Sequence, residues 1–395
     1  MSHRQPATIA VRAGIDSDAS HGAVAPPICL SSTFSFAEFG KPRRHDYSRS
    51  GNPTRDLLAE ALADLEGGQA ATVTATGMGA ITTVLQLLNR DDRLVAPLDC
   101  YGGTFRLLDA WAKKGAFRLD WIDFQDESAW QQAVPGARMV WLETPSNPLL
   151  RITDIERVAI AAHRHGALVV ADNTFLSPAL QQPIALGADI VVHSTTKYIN
   201  GHSDVVGGAV IAADLAVGEE LAWWANCLGI TGGAFDSWLT LRGLRTLAVR
   251  MRAHQENVQS LVELLGEHPA VDRIHYPGLP THPGHLVARR QQAGFGAMLS
   301  FELAGGESAV RAFVKDLEFI SLAESLGGVE TLIAHPSTMT HAAMSAEDQV
   351  RAGLVPGLLR LSVGLEAVED LGSDILKALQ RAEAVTEKER CHGAR

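Results

Sequence analysis

The sequence predicts an α/β protein: a mostly parallel sheet in a large domain, followed by a smaller C-terminal α+β domain. Three observations predict it. Between about residues 54 and 247, short apolar, β-branched runs alternate with amphipathic stretches of helical period, the pattern of a sheet covered by helices on both faces. Those runs end in polar or glycine-containing turns at Gly77, Tyr101, Asn147, Asp172 and Ser194 to Lys197, where ligands of open α/β sheets bind. Beyond about residue 248 the alternation stops and the chain reads as a different, smaller unit.

Taken in order, residues 1–53 carry little periodicity. Pro26-Pro27, Ser31-Ser32-Thr33 and Lys41-Pro42-Arg43-Arg44 read as an extended arm with turns. Such an arm has no core of its own and is expected to wrap a partner. It ends in the polar cluster Asp46-Tyr47-Ser48-Arg49-Ser50-Gly51-Asn52-Pro53. Thr54 is expected to cap a helix that buries Leu57, Leu58, Ala61, Leu62 and Leu65 and stops at Gly67-Gly68. A strand over 71–76 leads through Gly77-Met78-Gly79 into a helix with Ile81, Val84, Leu85 and Leu88 on one face. Glycines between a strand and a helix N-terminus favour an anion, because free backbone N–H groups point outward there. The pair is only a fragment of the dinucleotide fingerprint, since Thr82 occupies the third glycine position.

Further strands are expected over 93–97, 118–123, 139–144 and 167–171, with helices between them. Thr153-x-x-Glu156 reads as a capping box for a helix ending at Gly166. Ile190, Val191 and Val192 then form a buried strand that turns polar at His193 and presents Ser194 and Thr196 on either side of the approach to Lys197. Gly207-Gly208 opens another apolar run to Ala212. In the last third, a helix is expected over 251–265, a strand over 296–303 and a helix over 310–317. In Leu359-Arg360-Leu361-Ser362-Val363, Arg360 and Ser362 share one face. The tail from about Ala382 reads as polar and frayed. This organisation gives an arm (1–53), a large α/β domain (54–247) and a C-terminal domain (248–395).

Composition narrows the function. The net charge of −11 argues against nucleic acid or an anionic membrane surface as the main partner. Residues 1–13 lack the apolar core of a signal peptide, and no apolar run reaches the length of a membrane span, so a cytoplasmic protein is expected. The four cysteines are scattered without Cys-x-x-Cys, as expected of free thiols in a reducing compartment. No metal-ligand motif is present: His163 and His165 do not share a helical face, and His282 and His285 flank a Pro-Gly loop. Ser194-x-x-Lys197 matches a serine-acylase pattern, but the Ser-Asp-Asn and Lys-Thr-Gly elements that pattern needs are absent.

A strand-end lysine beside hydroxyls suits a Schiff base next to a phosphate, the amine being made nucleophilic by burial or neighbouring positive charge. Asp172, about one βα unit earlier, fits beside a pyridine nitrogen, and Tyr101 fits against a ring. Together these suggest pyridoxal 5′-phosphate.

The motifs Asp172-Asn173-Thr174, Gly187-Ala188-Asp189, His193-Ser194-x-Thr196-Lys197-Tyr198 and Gly201-His202-Ser203-Asp204 resemble those of the Cys/Met-metabolism group of fold-type I pyridoxal-phosphate enzymes, from about Thr8 to Leu376. The resemblance implies Lys197, Tyr101 and Asp172 as catalytic residues. It implies that Gly77, Met78, Thr174, Ser194 and Thr196 bind the cofactor within one subunit, with Tyr47 and Arg49 reaching the phosphate of a neighbouring subunit in a tetramer built from two dimers. Arg360 would hold the substrate α-carboxylate, with Asn147 and Ser325 beside it, and Glu324 would line the mouth. Finer motifs, among them Asp99-Cys100-Tyr101-Gly102-Gly103 and Ala323-Glu324-Ser325-Leu326-Gly327-Gly328, resemble those of members of the group that carry out γ-replacement, and the resemblance implies replacement on O-succinyl-L-homoserine by L-cysteine, giving L-cystathionine and succinate in methionine biosynthesis. Elimination from cystathionine or methionine, or O-acetyl-homoserine as donor, uses the same machinery. One position departs from the pattern: two arginines are expected before the Gly-Asn-Pro turn, and here Arg49 is followed by Ser50. Arg106 remains as a cation for the distal carboxylate of the donor.

Overall fold

A computed structural model describes residues 4–342 and 344–393. The chain divides into two compact units: residues 1–96, 108–143 and 154–249 form one, and residues 97–107, 144–153 and 250–395 the other. The second unit thus includes two short excursions, each following a strand of the large sheet.

The first unit begins with α1 (Pro6–Arg12) and, after the arm, α2 (Pro53–Glu66), β1 (Ala70–Thr74), α3 (Gly77–Leu85) and β2 (Arg93–Pro97). Next come α4 (Gly102–Lys113), whose residues up to Leu107 belong to the second unit, then β3 (Arg118–Ile122), α5 (Glu127–Ala133), β4 (Met139–Glu143), α6 (Ile155–His163), β5 (Leu168–Asp172) and α7 (Ser177–Leu180). It closes with β6 (Ile190–His193), β7 (Gly208–Ala212), α8 (Leu215–Leu228), α9 (Ala234–Leu244) and the start of α10 (Leu247–Gly266). The strands make one seven-stranded sheet in the order β1-β7-β6-β5-β4-β2-β3. The run β2-β4-β5-β6 is parallel, and β7 is antiparallel to both its neighbours. Central strands such as β4 and β6 are buried along their whole length, which is why they read as continuous apolar runs rather than alternating ones. Helices α5 and α6 cover β4 and β5 with Trp130, Ile155, Val158 and Ala162.

The second unit continues with β8 (Val271–His275), α11 (His285–Gln291), β9 (Met298–Leu303), α12 (Gly306–Phe313), β10 (Ser321–Leu322), β11 (Leu332–Ala334), α13 (Ala346–Ala352), β12 (Leu358–Ser362) and α14 (Val368–Gly393). Its five strands run β10-β11-β12-β9-β8. Its core is built on Phe301, Phe313, Leu361 and Leu379. Among the described residues no helix is long and apolar enough to cross a membrane.

The expected α/β architecture with a mostly parallel sheet is found. Several local expectations are corrected. The arm contains a helix, α1, opened by Pro6 and anchored by buried Ala10; seven residues are too few to show a period. Asn52, not Thr54, caps α2: its Oδ1 accepts from the N–H groups of Thr54 and Arg55, and Pro53 takes the first helical position. The Thr54 hydroxyl is committed to the arm, accepting from Cys29 N and donating to Pro27 O. Likewise Asp154 caps α6, while Thr153 stays in the preceding loop with its N–H on Thr144 Oγ1. The helix expected over 310–317 lies at 306–313, where Gly305-Gly306 starts the turn. The tail is not frayed at Ala382, which lies within α14 and is fully buried in the core of the second unit as that helix continues to Gly393.

Asn52 also donates from Nδ2 to Cys29 O and Ser48 Oγ, so one side chain caps a helix and fastens the arm. Asn52→Ala is therefore expected to cost about 1–2 kcal/mol. The check is thermal or denaturant unfolding, with faster proteolysis of the arm as the accompanying sign; an unchanged midpoint would contradict this role.

Candidate active site

In the first unit, the site residues gather where β1, β5 and β6 end. Thr76 caps α3 by accepting from Gly79 N at 2.8 Å. The N–H groups of Gly77 and Met78 in the first turn of α3 are those that the helix itself cannot satisfy. Gly77 packs directly against the Lys197 turn: a Cβ built there would lie 2.9 Å from Ser194 Cβ and 3.1 Å from Ser194 Cα. Only glycine permits that approach. Thr174 joins two strand ends, because its Oγ1 accepts from Ser194 N at 2.9 Å while its own N–H reaches Asp172 Oδ1 at 3.0 Å. Thr196 Oγ1 accepts from Gly207 N at 2.9 Å and lies 3.2 Å from Gly207 O, so its hydroxyl fixes the glycine segment that leads into β7. Lys197 sits in a tight turn, with its N–H on Ser194 O and its carbonyl accepting from Gly201 N.

Asp172 ends β5. Desolvation is the largest influence on its carboxyl and raises its pKa, opposed by the Thr174 hydrogen bonds and by the charge of His193. Behind it stands a pair that the sequence did not single out. His193 Nε2 lies 2.6 Å from Glu66 Oε1, and both side chains are fully buried. Asn173 Nδ2 donates to the same Glu66 oxygen and to Gln181 O. The one sequence signal was that Glu66 closes a helix at Gly67, where a negative side chain opposes the helix dipole.

The arm cluster is engaged within its own chain. Arg49 donates to both the backbone carbonyl and the side-chain oxygen of Asn226 at the end of α8, and its guanidinium lies over the half-exposed Tyr47 ring. Ser50 Oγ lies 2.8 Å from Asp46 Oδ1 and 2.7 Å from Tyr47 O, closing the arm's final turn.

In the second unit, Arg360 lies on β12, the middle strand of its sheet, and is 3% exposed rather than solvent-facing. Its two terminal nitrogens donate to Asn147 Oδ1 at 2.9 Å and Ser325 O at 3.0 Å. Ser325 has φ of 92°, a left-handed conformation that ordinarily favours glycine, and this aims its carbonyl at the guanidinium. Asn147 lies in the turn after β4, between the cis bonds Thr144–Pro145 and Asn147–Pro148. His341 Nε2 donates to Asn147 O, and burial together with the nearby Arg360 charge lowers its pKa to about 4. Structure therefore brings Arg360, Asn147 and Ser325 together. Tyr101, Arg106 and Glu324 are exposed, Tyr101 in the turn after β2, where Gly102 allows close approach to Thr340 O.

These residues fit pyridoxal phosphate. The α3 N-terminus with Ser194 offers N–H and hydroxyl donors to a dianion, in a cradle that a Cβ at Gly77 would fill. Asp172 is a carboxyl whose desolvation is relieved by a cation, as a protonated ring nitrogen supplies. Comparison with known proteins agrees. Residues 7–380 match the description of the Cys/Met metabolism PLP-dependent enzymes, and the chain belongs to that family. It is 55% identical to cystathionine gamma-synthase of Escherichia coli over 381 residues, covering 96% of this chain and 99% of that protein. It is 60% identical, with a TM-score of 0.96, to a solved cystathionine gamma synthase from Xanthomonas oryzae in complex with cystathionine, covering 97% and 100% of the two chains. A cystathionine gamma-lyase from Lactobacillus plantarum solved with L-serine is 42% identical, with a TM-score of 0.93, covering 96% and 100%.

Two pH effects follow. Because the folded protein holds the Asp172 proton more tightly than the unfolded chain, cofactor-free protein loses stability as pH rises from 3.8 through the raised folded value. Cofactor-free Asp172→Asn should escape that loss, unfolding at a higher temperature than wild type at neutral pH and at a similar one in strong acid; a less stable variant at neutral pH would refute this. In the second unit, His254, His282 and His341 each titrate near pH 4 instead of 6.5, burial being the first cause in every case. The unfolded chain then binds more protons, so their contribution is complete above 6.5 and is lost as pH falls through 4. Thermal unfolding scanned across that window should show the drop, and His341→Asn should make it shallower.

Proposed function

We propose that the chain catalyses the cystathionine γ-synthase reaction, replacing the succinyloxy group of O-succinyl-L-homoserine with the thiol of L-cysteine to give L-cystathionine and succinate. The observation that carries this reading is the gradient of likeness. The two γ-synthases above are 55% and 60% identical over nearly the whole chain, against 42% for the γ-lyase. Lyase chemistry is the second reading: a cystathionine beta-lyase of Lactococcus lactis is 46% identical across 95% of this chain.

When bound, pyridoxal phosphate supplies a carbonyl that condenses with amines and a ring that accepts electron density from the substrate carbons. The residues named here do the rest. Gly77, Met78, Ser194, Thr196 and Thr174 would hold and align it, Tyr101 would lie against its ring, and Asp172 would keep the ring nitrogen protonated. Arg360 binds the α-carboxylate through a bidentate pair, and its rigid support by Asn147 and Ser325 keeps that carboxylate in one place. Lys197 moves protons from Cα and at Cβ. The Cγ–O bond then breaks with succinate carrying away the electron pair, and the cysteine thiolate forms the new Cγ–S bond. Glu324 seats the incoming ammonium, and Arg106 meets the distal succinyl carboxylate. The protein acts as a cytoplasmic homotetramer in which Tyr47 and Arg49 of one subunit complete the site of its neighbour, so that the arm belongs functionally to the partner and residues 54–247 and 248–395 supply the cofactor and substrate sides.

Product analysis with each acyl donor, with and without cysteine, tests the reading. Cystathionine from the succinyl donor is expected to dominate; preference for O-acetyl-homoserine, or faster cleavage of cystathionine at Cγ than its synthesis, would transfer the assignment to the alternatives. A charge-assisted contact is worth about 1.5–3 kcal/mol, so Arg106→Ala should lower kcat/KM for the succinyl donor ~10–100-fold. Ser50→Arg should raise it and leave the acetyl donor nearly unchanged. Mixing Arg49→Ala with Lys197→Ala subunits should restore part of the activity once exchange occurs, and no recovery despite verified exchange would defeat the shared site.

A further inference from the structure

Asp99 is buried beside the turn that supports Arg360, and the reaction proposed for the chain leaves it without a role. Three turns of the second unit meet there in a closed ring, each touching the other two. In the first, residues 99–102, the Asp99 carboxyl accepts from Ser146 Oγ at 2.6 Å. In the second, residues 146–151, that same hydroxyl accepts from Arg151 N, and Asn147 O accepts from His341 Nε2. The third, residues 335–341, returns to the first, where a Cβ at Gly102 would lie 2.8 Å from Thr340 O. Tyr101 and Asn147 thus stand on two corners of one ring. Asn147 also supports Arg360, whose Nη1 donates to its Oδ1 at 2.9 Å. Ser300, in register with Arg360 on the neighbouring strand, fixes the far side of the same turn by donating to Pro148 O at 2.7 Å. Asp99 is the anchor on the near side. Arg151 Nη1, at 3.4 Å, is its longer contact.

We propose that Asp99 is a positioning residue for the substrate α-carboxylate, acting through Ser146 and Asn147 on Arg360. A guanidinium binds a carboxylate through two parallel N–H groups only when its plane is correctly set. Asn147 Oδ1 holds one edge of that plane and Ser325 O the other. The amide oxygen of Asn147 is only as fixed as the backbone that carries it. Ser300 and His341 hold that backbone at residues 148 and 147, and Asp99 holds it at residue 146 through the Ser146 hydroxyl. Without an acceptor at residue 99, the Ser146 hydroxyl is left unmade on that side, the turn loosens, and the guanidinium is less often in plane. Recognition of the carboxylate then weakens, while recognition of the amino group does not. The ring needs a hydrogen-bond acceptor at residue 99, which an amide oxygen supplies as a carboxyl oxygen does. The inference rests on the assignment of Arg360 to the α-carboxylate.

The test compares two probes of the holoprotein, each followed by the change it causes in the cofactor's visible band. L-norvaline is an amino acid with no leaving group at Cγ, and butylamine is the same molecule without its carboxylate. Asp99→Ala should raise the Kd of L-norvaline about tenfold, the scale of one lost buried hydrogen bond, and leave that of butylamine unchanged. Ser146→Ala should do the same, and carries the test should Asp99→Ala not fold. Asp99→Asn should bring L-norvaline back to within about twofold of wild type. Equal weakening of both probes, or of neither, in the alanine variants would overturn the proposal and leave Asp99 a structural residue. An Asp99→Asn protein as impaired as Asp99→Ala would overturn it too, since the Ser146 hydroxyl would then not be the route. Arg360→Lys separates the two levels. If it spares the preference for L-norvaline over butylamine, the assignment of Arg360 to the carboxylate fails; if it alone removes that preference, the assignment stands and Asp99 has no part in it.

Discussion

The first turn of α3 and the turn carrying Lys197 meet backbone to backbone at Gly77 and Ser194, with no space for a single methyl group. The cofactor side of the site depends on that contact. It places the unsatisfied N–H groups of a helix beside the hydroxyls and lysine of a strand end, so that anion and amine chemistry lie next to one another. The contact exists because β1 and β6 both flank β7 and point the same way, one on each side of an antiparallel strand. Gly208 at the start of β7 is just as tightly constrained, since a Cβ there would lie 2.2 Å from Thr76 O.

Around this contact the polar groups are arranged in a chain of support. Thr174 ties β5 to β6 and donates its N–H to Asp172, and Thr196 ties the lysine turn to the glycine segment leading into β7. In the second unit the same logic serves a different charge. Arg360 is buried in mid-sheet and oriented by neutral oxygens from Asn147 and Ser325, while His341 beside it stays uncharged at neutral pH and so does not compete with it for an anion. A guanidinium arranged this way is prepared for a carboxylate, since its donors are already fixed before the ligand arrives.

Much of this was legible in the sequence, for local reasons. Ile190-Val191-Val192 can only be a buried strand in such a context, and Gly77, Asp172 and Lys197 follow strand ends where α/β sheets place their ligands. What was not legible depends on partners distant in sequence. Asn52 rather than Thr54 caps α2 because the Thr54 hydroxyl is drawn to residues 27 and 29 of the arm. Glu66 and His193 meet across 127 positions, and nothing in either neighbourhood announces the other. Arg360 read as one face of an alternating strand; its burial is set by where β12 falls in the sheet order. Polar residues surround Ala382 in sequence, while in space it faces the core of the second unit, so its burial has no local signal.

The central claim is that Lys197 is the amine that carries the cofactor. Borohydride reduction of the yellow holoprotein, followed by proteolysis and mass mapping, tests it most directly. The account predicts bleaching of the visible band and a single pyridoxyl adduct on the peptide containing Lys197. An adduct on any other lysine, with Lys197 unmodified, would contradict it.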